Sequence, residues 1–287
     1  MTDASDAPVL LGGIAGTGKT RLGSLLGRHS RLSVTRKTYL WREVYARHGD
    51  LTDPDNLARC LAAALAIPGV RALHLDPDEV AGRVRERPPS YANVFDVIHG
   101  LHAEAVGKPR WCDQLGLAEA YAEPVFAAFP SARFIHMVTD PRRAQPESRT
   151  PGVSGWAVGK WLTSVELAAR NARRFGARYL VVRHEDLLDD EHGTVGAVCS
   201  FLGEEVEPDM LDAPAPLPAT VPTRGRDRFI QATVGAAMAD GGYEADPSAQ
   251  PWSWRKDLVE WPANRLALMA WRRLGTRAIT RQVGACA

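Results

Sequence analysis

Apolar positions change their period several times along the 287 residues, and each change marks a predicted element. Positions 8–12 (Pro8-Val9-Leu10-Leu11-Gly12) form a short apolar run closed by glycine, the pattern of a buried parallel strand. Positions 21–29 follow as a helix with Leu22, Leu25 and Leu26 on one face. Residues 39–67 read as helical, broken by the turn signals Gly49-Asp50 and Asp53-Pro54. Tyr91, Val94, Phe95, Ile98, Leu101 and Ala105 recur at helical spacing, with Gly107 as a stop. The alternation then becomes regular: strand 110–115, helix 118–129, strand 132–138, a long helix over 156–175, strand 178–183 and helix 194–202. The proline-rich stretch 211–225 has no period and reads as a loop, with two further helices expected over 228–239 and 262–274.

Strands alternating with helices imply βαβ units, hence an α/β fold with a parallel sheet flanked by helices. The chain is read as one domain over 1–287, with a helical region at roughly 36–107 and a C-terminal loop and helices at roughly 205–287. Composition narrows the class: 45% hydrophobic and 24% charged residues with a net charge of +1 exclude a nucleic-acid binder driven by bulk charge. No apolar run is long enough to span a bilayer, and the start of the chain, with Asp3 and Asp6, lacks the basic character of a secretory signal. The expected setting is the cytoplasm. Cys60, Cys112, Cys199 and Cys286 show no metal-ligand or disulfide spacing and read as small buried hydrophobes.

Gly13-Ile14-Ala15-Gly16-Thr17-Gly18-Lys19-Thr20 matches G-x-x-x-x-G-K-[ST], with a strand before it and a helix after it. Glycines let the backbone turn tightly and aim successive N–H groups at phosphate oxygens, and the helix start adds partial positive charge. Gly13, Gly16, Thr17, Gly18, Lys19, Thr20 and the adjacent Arg21 are therefore candidate phosphate ligands. The loop leaves two chemistries open. Phosphoryl transfer from a nucleoside triphosphate would use Lys19 and a magnesium ion on Thr20. Sulfuryl transfer from an adenylylated sulfate would wrap the same loop around a 5′ phosphosulfate.

The later sequence resembles the nucleotide-sulfate-dependent sulfotransferases, particularly bacterial ones. Phe129-Pro130-Ser131-Ala132-Arg133-Phe134-Ile135-His136-Met137-Val138-Thr139-Asp140-Pro141-Arg142 is similar to their "FPxARFIxxxRDPR" strand and loop. Arg178-Tyr179-Leu180-Val181-Val182-Arg183-His184-Glu185-Asp186-Leu187 is similar to "RYLxVRYEDL", and Phe201-Leu202-Gly203 to the "FLG" after it. Gly107-Lys108-Pro109-Arg110-Trp111-Cys112-Asp113 resembles "GKPRWGDK", Trp161 sits where the family carries a tryptophan, and Ser253 to Leu258 resembles the late "RWRxxL" stretch. The resemblance implies a P-loop NTPase-like sheet and the donor 3′-phosphoadenylyl sulfate, with no metal. It implies a hydroxyl or amine of a small molecule or glycan as acceptor, approached from the 36–107 region. The alternatives are a P-loop small-molecule kinase using magnesium-ATP and a nucleotide-binding homologue that has lost catalysis.

Two departures from the family bear on the donor. Its first loop reads like "PRSGTT"; here the basic position is Gly16, and Lys19 supplies the cation three residues later, as the expected stabiliser of charge on the sulfuryl group. In the second loop the 3′-phosphate arginine falls at Thr139 and its partner serine at Glu147, leaving Arg142 and Ser148 as the nearest substitutes; Arg255 is a further candidate ligand. Asp113 is the expected catalytic base, with Glu43 and His48 as weaker candidates and Gln114 where the family has a basic residue. Lys37 and Trp41 are candidate acceptor-pocket residues, His136 reads as a satisfied core histidine, and Glu185-Asp186 reads as a structural cap.

Overall fold

The computed structural model describes residues 6–143, 153–211, 224–244 and 254–275. Its strands are β1 (Val9–Gly12), β2 (Leu32–Arg36), β3 (Arg110–Gln114), β4 (Arg133–Val138) and β5 (Tyr179–Arg183). All pair in parallel in the order β2-β3-β1-β4-β5. The apolar run Val9–Gly12 is buried on both faces because it lies at the centre of this sheet.

Helix α1 (Lys19–Leu26) carries the chain from β1 to β2. Between β2 and β3 come α2 (Leu40–Glu43), α3 (Pro54–Ala66), α4 (Pro68–Arg71), α5 (Pro77–Arg85) and α6 (Tyr91–Ala105). A 3₁₀ turn (Ala118–Tyr121) and α7 (Ala122–Ala128) lead to β4, and α8 (Val153–Phe175) leads to β5. The chain continues through α9 (His184–Asp189), α10 (Glu191–Leu202), α11 (Pro208–Leu211), α12 (Arg224–Asp240) and α13 (Trp254–Ala270).

Period-2 alternation along the strands splits the core into two layers. Val9, Leu11, Cys112, Ile135 and Met137 face α1 and α10, meeting Leu22, Leu25, Leu26, Val195 and Val198. Leu10, Trp111, Phe134 and Tyr179 face the other way, against Val94, Phe95 and Ile98 of α6 and Val125 and Phe126 of α7. A third cluster joins Ile14 to Val158 and Trp161 of α8 and to Phe229, Ile230, Val234 and Met238 of α12.

Most expected elements are present, and the differences are local. Residues 32–36 form the edge strand β2, where the sequence reading placed no strand; only Leu32, Ser33 and Thr35 of its side chains are fully buried, so the apolar signal is weak. Asp53-Pro54 starts a helix as well as ending a turn: the Asp53 carboxylate accepts the Asp55 and Asn56 amides, and Pro54 takes the first helical position. Asp76-Pro77 does the same for α5, which the sequence reading left without an element. The "FLG" stop is realised by Gly203, left-handed at φ 76° beyond the end of α10. The expected loop 211–225 falls almost wholly outside the described residues, as do Cys286, Glu147 and Ser148. Among the described residues no helix is long and apolar enough to cross a membrane.

Candidate active site around the phosphate loop

The loop between β1 and α1 emerges at the carboxyl end of the central strand, between β3 and β4. There the connections switch from one side of the sheet to the other, which is where open α/β sheets form their ligand crevice. Gly13, Gly16 and Gly18 have φ of 115°, 85° and 76°, a conformation closed to most side chains. A Cβ on Gly13 would overlap the Met137 carbonyl of β4, and one on Gly18 would overlap the His184 ring. Gly18 caps α1 without any side-chain acceptor, so the first-turn amides remain as donors for an anion.

Ile14 organises the loop from within. Its side chain is buried in the α8–α12 cluster, while its carbonyl accepts both the Thr17 hydroxyl (2.9 Å) and the Lys19 ammonium (2.9 Å). Burial holds the Lys19 ammonium below the usual lysine range, with Glu119 pulling in the opposite direction. Thr20 is exposed, and its hydroxyl receives Gln114 Nε2 at 3.4 Å. Arg21, the next residue along α1, donates from both Nε and Nη2 to Glu191 at 2.6 Å, tying α1 to α10.

Beneath the loop lies a residue the sequence reading did not single out. Glu119 is fully buried; its Oε2 accepts the Gly13 amide at 3.1 Å and its Oε1 accepts the Ser164 hydroxyl of α8. His136 Nδ1 lies 3.7 Å from Oε2. Burial alone would raise the Glu119 pKa, but attraction to His136 and the Ser164 hydrogen bond carry it below the ordinary carboxylate range. His136 is buried, as expected; among the described residues neither ring nitrogen has a partner within hydrogen-bond distance, and Nδ1 meets Glu119 at ion-pair distance. One signal was present: Glu119 is the lone charge in the apolar stretch 115–122.

The second loop is closed in on itself. Thr139 is fully buried; its hydroxyl donates to Glu185 Oε1 (2.8 Å) and its carbonyl accepts Trp161 Nε1 (2.8 Å). Glu185 also accepts the Asp140 amide at 3.0 Å, so this carboxylate clamps the turn after β4, in keeping with a structural part. Arg142 is chelated by Asp140, with Nε 2.9 Å from each carboxylate oxygen, and its Nη2 reaches the Glu244 carbonyl at 3.0 Å. Thr139 and Arg142 thus face protein partners here; Ser148 lies outside the described residues, and Arg255 falls on α13 with a side chain outside the described set.

Asp113 is also placed differently from an accessible base. It is fully buried on the α6 side of β3; Oδ1 accepts Thr38 Oγ1 at 2.8 Å and Thr35 Oγ1 at 3.5 Å. Burial pushes its carboxyl up to about 7, against those two hydrogen bonds. His99 Nε2 stands 3.6 Å from Oδ2, and burial pushes this imidazole down to about 3. The Thr38 bond fixes the turn after β2, whose flanking Lys37 and Tyr39 are both left-handed (φ 58° and 50°). Lys37 is exposed beside this turn, while Trp41 is fully buried against Phe95, Tyr45 and Tyr121. Of the weaker base candidates, Glu43 pairs with Arg42 at 2.8 Å, and His48 is held below the ordinary imidazole range by burial, then by Arg59 and Arg47. His184 packs on Gly18 where the resembling motif has tyrosine; burial lowers its pKa, opposed by Glu185 and aided by Arg143.

Comparison with curated protein sequences finds no match. Among solved structures, the sulfotransferase domain from the Synechococcus PCC 7002 olefin synthase superposes with a TM-score of 0.54 at 17% identity, covering 91% of this chain and 93% of that one. The sulfotransferase domain from the curacin biosynthetic pathway gives 0.52 at 15% identity, with 97% of both chains covered. Sulfotransferase STF9 from Mycobacterium avium gives 0.50 at 12% identity, covering 84% of this chain and 78% of that one. At such identities these likenesses speak for the fold alone. The sequence profile of the sulfotransferase family matches residues 8–208, and the chain belongs to that family.

Proposed function

We propose that the protein moves a sulfuryl group from 3′-phosphoadenylyl sulfate to a hydroxyl or amine of a small molecule or glycan. The observation that carries the reading is the Gly13–Thr20 loop, with three left-handed glycines, uncapped first-turn amides and a lysine ammonium resting on a loop carbonyl. The family adds the reaction class.

In the proposed reaction the acceptor atom attacks sulfur in line as the bond from sulfur to the bridging oxygen breaks. The acceptor proton passes to solvent water, and 3′,5′-adenosine bisphosphate leaves with the bonding electrons of the broken S–O bond. Negative charge builds on the bridging oxygen, and Lys19 transfers its hydrogen bond from Ile14 to that oxygen. The loop fits the 5′ end of the donor. The 3′ end fits less well: Thr139 and Arg142 are both engaged by protein carboxylates, so a 3′ phosphate must displace Asp140 from Arg142 or use neighbouring groups.

Titration with 3′,5′-adenosine bisphosphate and, separately, with magnesium-ATP tests the reading. Binding of the bisphosphate alone supports it, and binding of magnesium-ATP alone replaces it with phosphoryl transfer. Bisphosphate binding without turnover on any hydroxyl or amine acceptor identifies a homologue without catalysis. Lys19→Ala is expected to lower kcat by roughly 10²–10³-fold with unchanged circular dichroism. Normal turnover by that variant would remove Lys19 from the mechanism.

A further inference from the structure

Glu119 puts a buried carboxylate directly behind a loop built for anions, an arrangement that opposes ligand binding unless the charge is compensated. It is anchored from three elements: the Gly13 amide at the end of β1, the Ser164 hydroxyl of α8 and His136 of β4, whose backbone pairs with Gly12. His136 is buried, among the described residues neither ring nitrogen has a partner within hydrogen-bond distance, and its Nδ1 is already at ion-pair distance from Oε2. Among the described residues, Lys19 of α1 and Tyr179 of β5 also face the pair, the Tyr179 ring lying nearly parallel to His136 with centroids 6.4 Å apart. Burial and the Glu119 charge hold the Tyr179 phenol well above its usual range, so it keeps its proton.

We propose that the Glu119–His136 pair is a positioning and charge-compensating device for the phosphate loop, taking up one proton when an anion occupies Gly13–Thr20. With the loop empty, the Glu119 charge is balanced by Lys19 from above, with His136 Nδ1 3.7 Å from Oε2 on the other side. When Lys19 turns to the ligand, that balance is lost. A proton from solvent, held between Nδ1 and Oε2, then leaves the Gly13 amide and the Ser164 hydroxyl in place while removing the repulsion. The ligand class is a polyanionic phosphate or phosphosulfate ester. The inference rests on the proposed anion site at Gly13–Thr20, but not on the identity of the nucleotide.

Calorimetric titration of the full chain with 3′,5′-adenosine bisphosphate, in buffers of unequal ionisation enthalpy, reads the proton count. The wild-type protein is expected to take up close to one proton more per ligand than Glu119→Gln, about a full unit of linkage, while the ligand's own titration cancels in the difference. The same variant is expected to flatten the fall of affinity with rising pH. His136→Gln supplies an independent second variant with the same expected loss, should Glu119→Gln fold poorly. Equal proton uptake in wild type and a folded variant overturns the proposal. If the bisphosphate does not bind, the donor assignment fails; pyrophosphate, which needs only Gly13–Thr20, then becomes the probe, and the same difference decides.

Discussion

At the scale of single residues, the buried Asp113 and His99 form a pair whose proton inventories cancel. Folded Asp113 keeps its proton up to about 7, whereas an unfolded aspartate loses it in the ordinary carboxylate range. Folded His99 stays neutral down to about 3, whereas an unfolded histidine gains a proton below the ordinary imidazole range. Between those limits unfolding releases one proton from Asp113 and binds one at His99, so the pair contributes almost no net pH dependence. Single substitutions separate the two. Relative to wild type, Asp113→Asn is expected to make stability fall as pH drops from the imidazole range toward the carboxylate range, because only the uptake at His99 remains. His99→Gln is expected to make stability fall as pH rises through the same window toward 7, because only the release from Asp113 remains. Each slope approaches about 1.4 kcal/mol per pH unit. Urea denaturation at several pH values measures both, and parallel shifts without a change of slope would assign the pH dependence to other groups.

At the scale of elements, α1 depends on the left-handed cap at Gly18. Gly18→Ala costs about 1–2 kcal/mol from the backbone alone, and its Cβ overlaps the His184 ring. The expected result is a loss of bisphosphate affinity of roughly five- to thirtyfold, by about the same energy. A second change, His184→Ala, is expected to recover the part due to overlap and leave the part due to backbone strain; no recovery would place the whole effect in the backbone. The sequence makes this element legible because its glycines, lysine and flanking apolar runs are all local. The strands β1, β3, β4 and β5 are legible for the same reason. The edge strand β2 is not, since Ser33, Thr35 and Arg36 carry little apolar signal and the strand is defined by its pairing with β3. Nor does local sequence show what a polar side chain will meet. Asp113 reads as a catalytic base until α6 and Thr38 close over it, and the lone charge of Glu119 gains its meaning only when α8 supplies Ser164.

At the scale of the whole molecule, the family profile ends at residue 208, yet the phosphate loop leans on chain beyond that point. Phe229 and Ile230 of α12 pack with Ile14, and α13 seats on α8 where Gly155 leaves room for the backbone of Asn264, with Trp271, just past α13, fitting against Gly159. Ile230→Ala removes a fully buried side chain and is expected to cost about 2–5 kcal/mol. Because Ile14 joins that cluster to the carbonyl holding Lys19, bisphosphate affinity is expected to fall together with the melting temperature. A variant that melts early but binds normally would uncouple α12 from the loop.

Ile14 has one further consequence, for how variants of this protein will be read. A survey scored only by turnover would mark positions along α12 as catalytic, although their side chains act through the Ile14 cluster. Their signature would be correlated loss of melting temperature and affinity, whereas substituting Lys19 would lower rate with the melting temperature unchanged. Homologues with a different C-terminal segment would need a different residue at position 14, so the two regions are expected to change together during divergence.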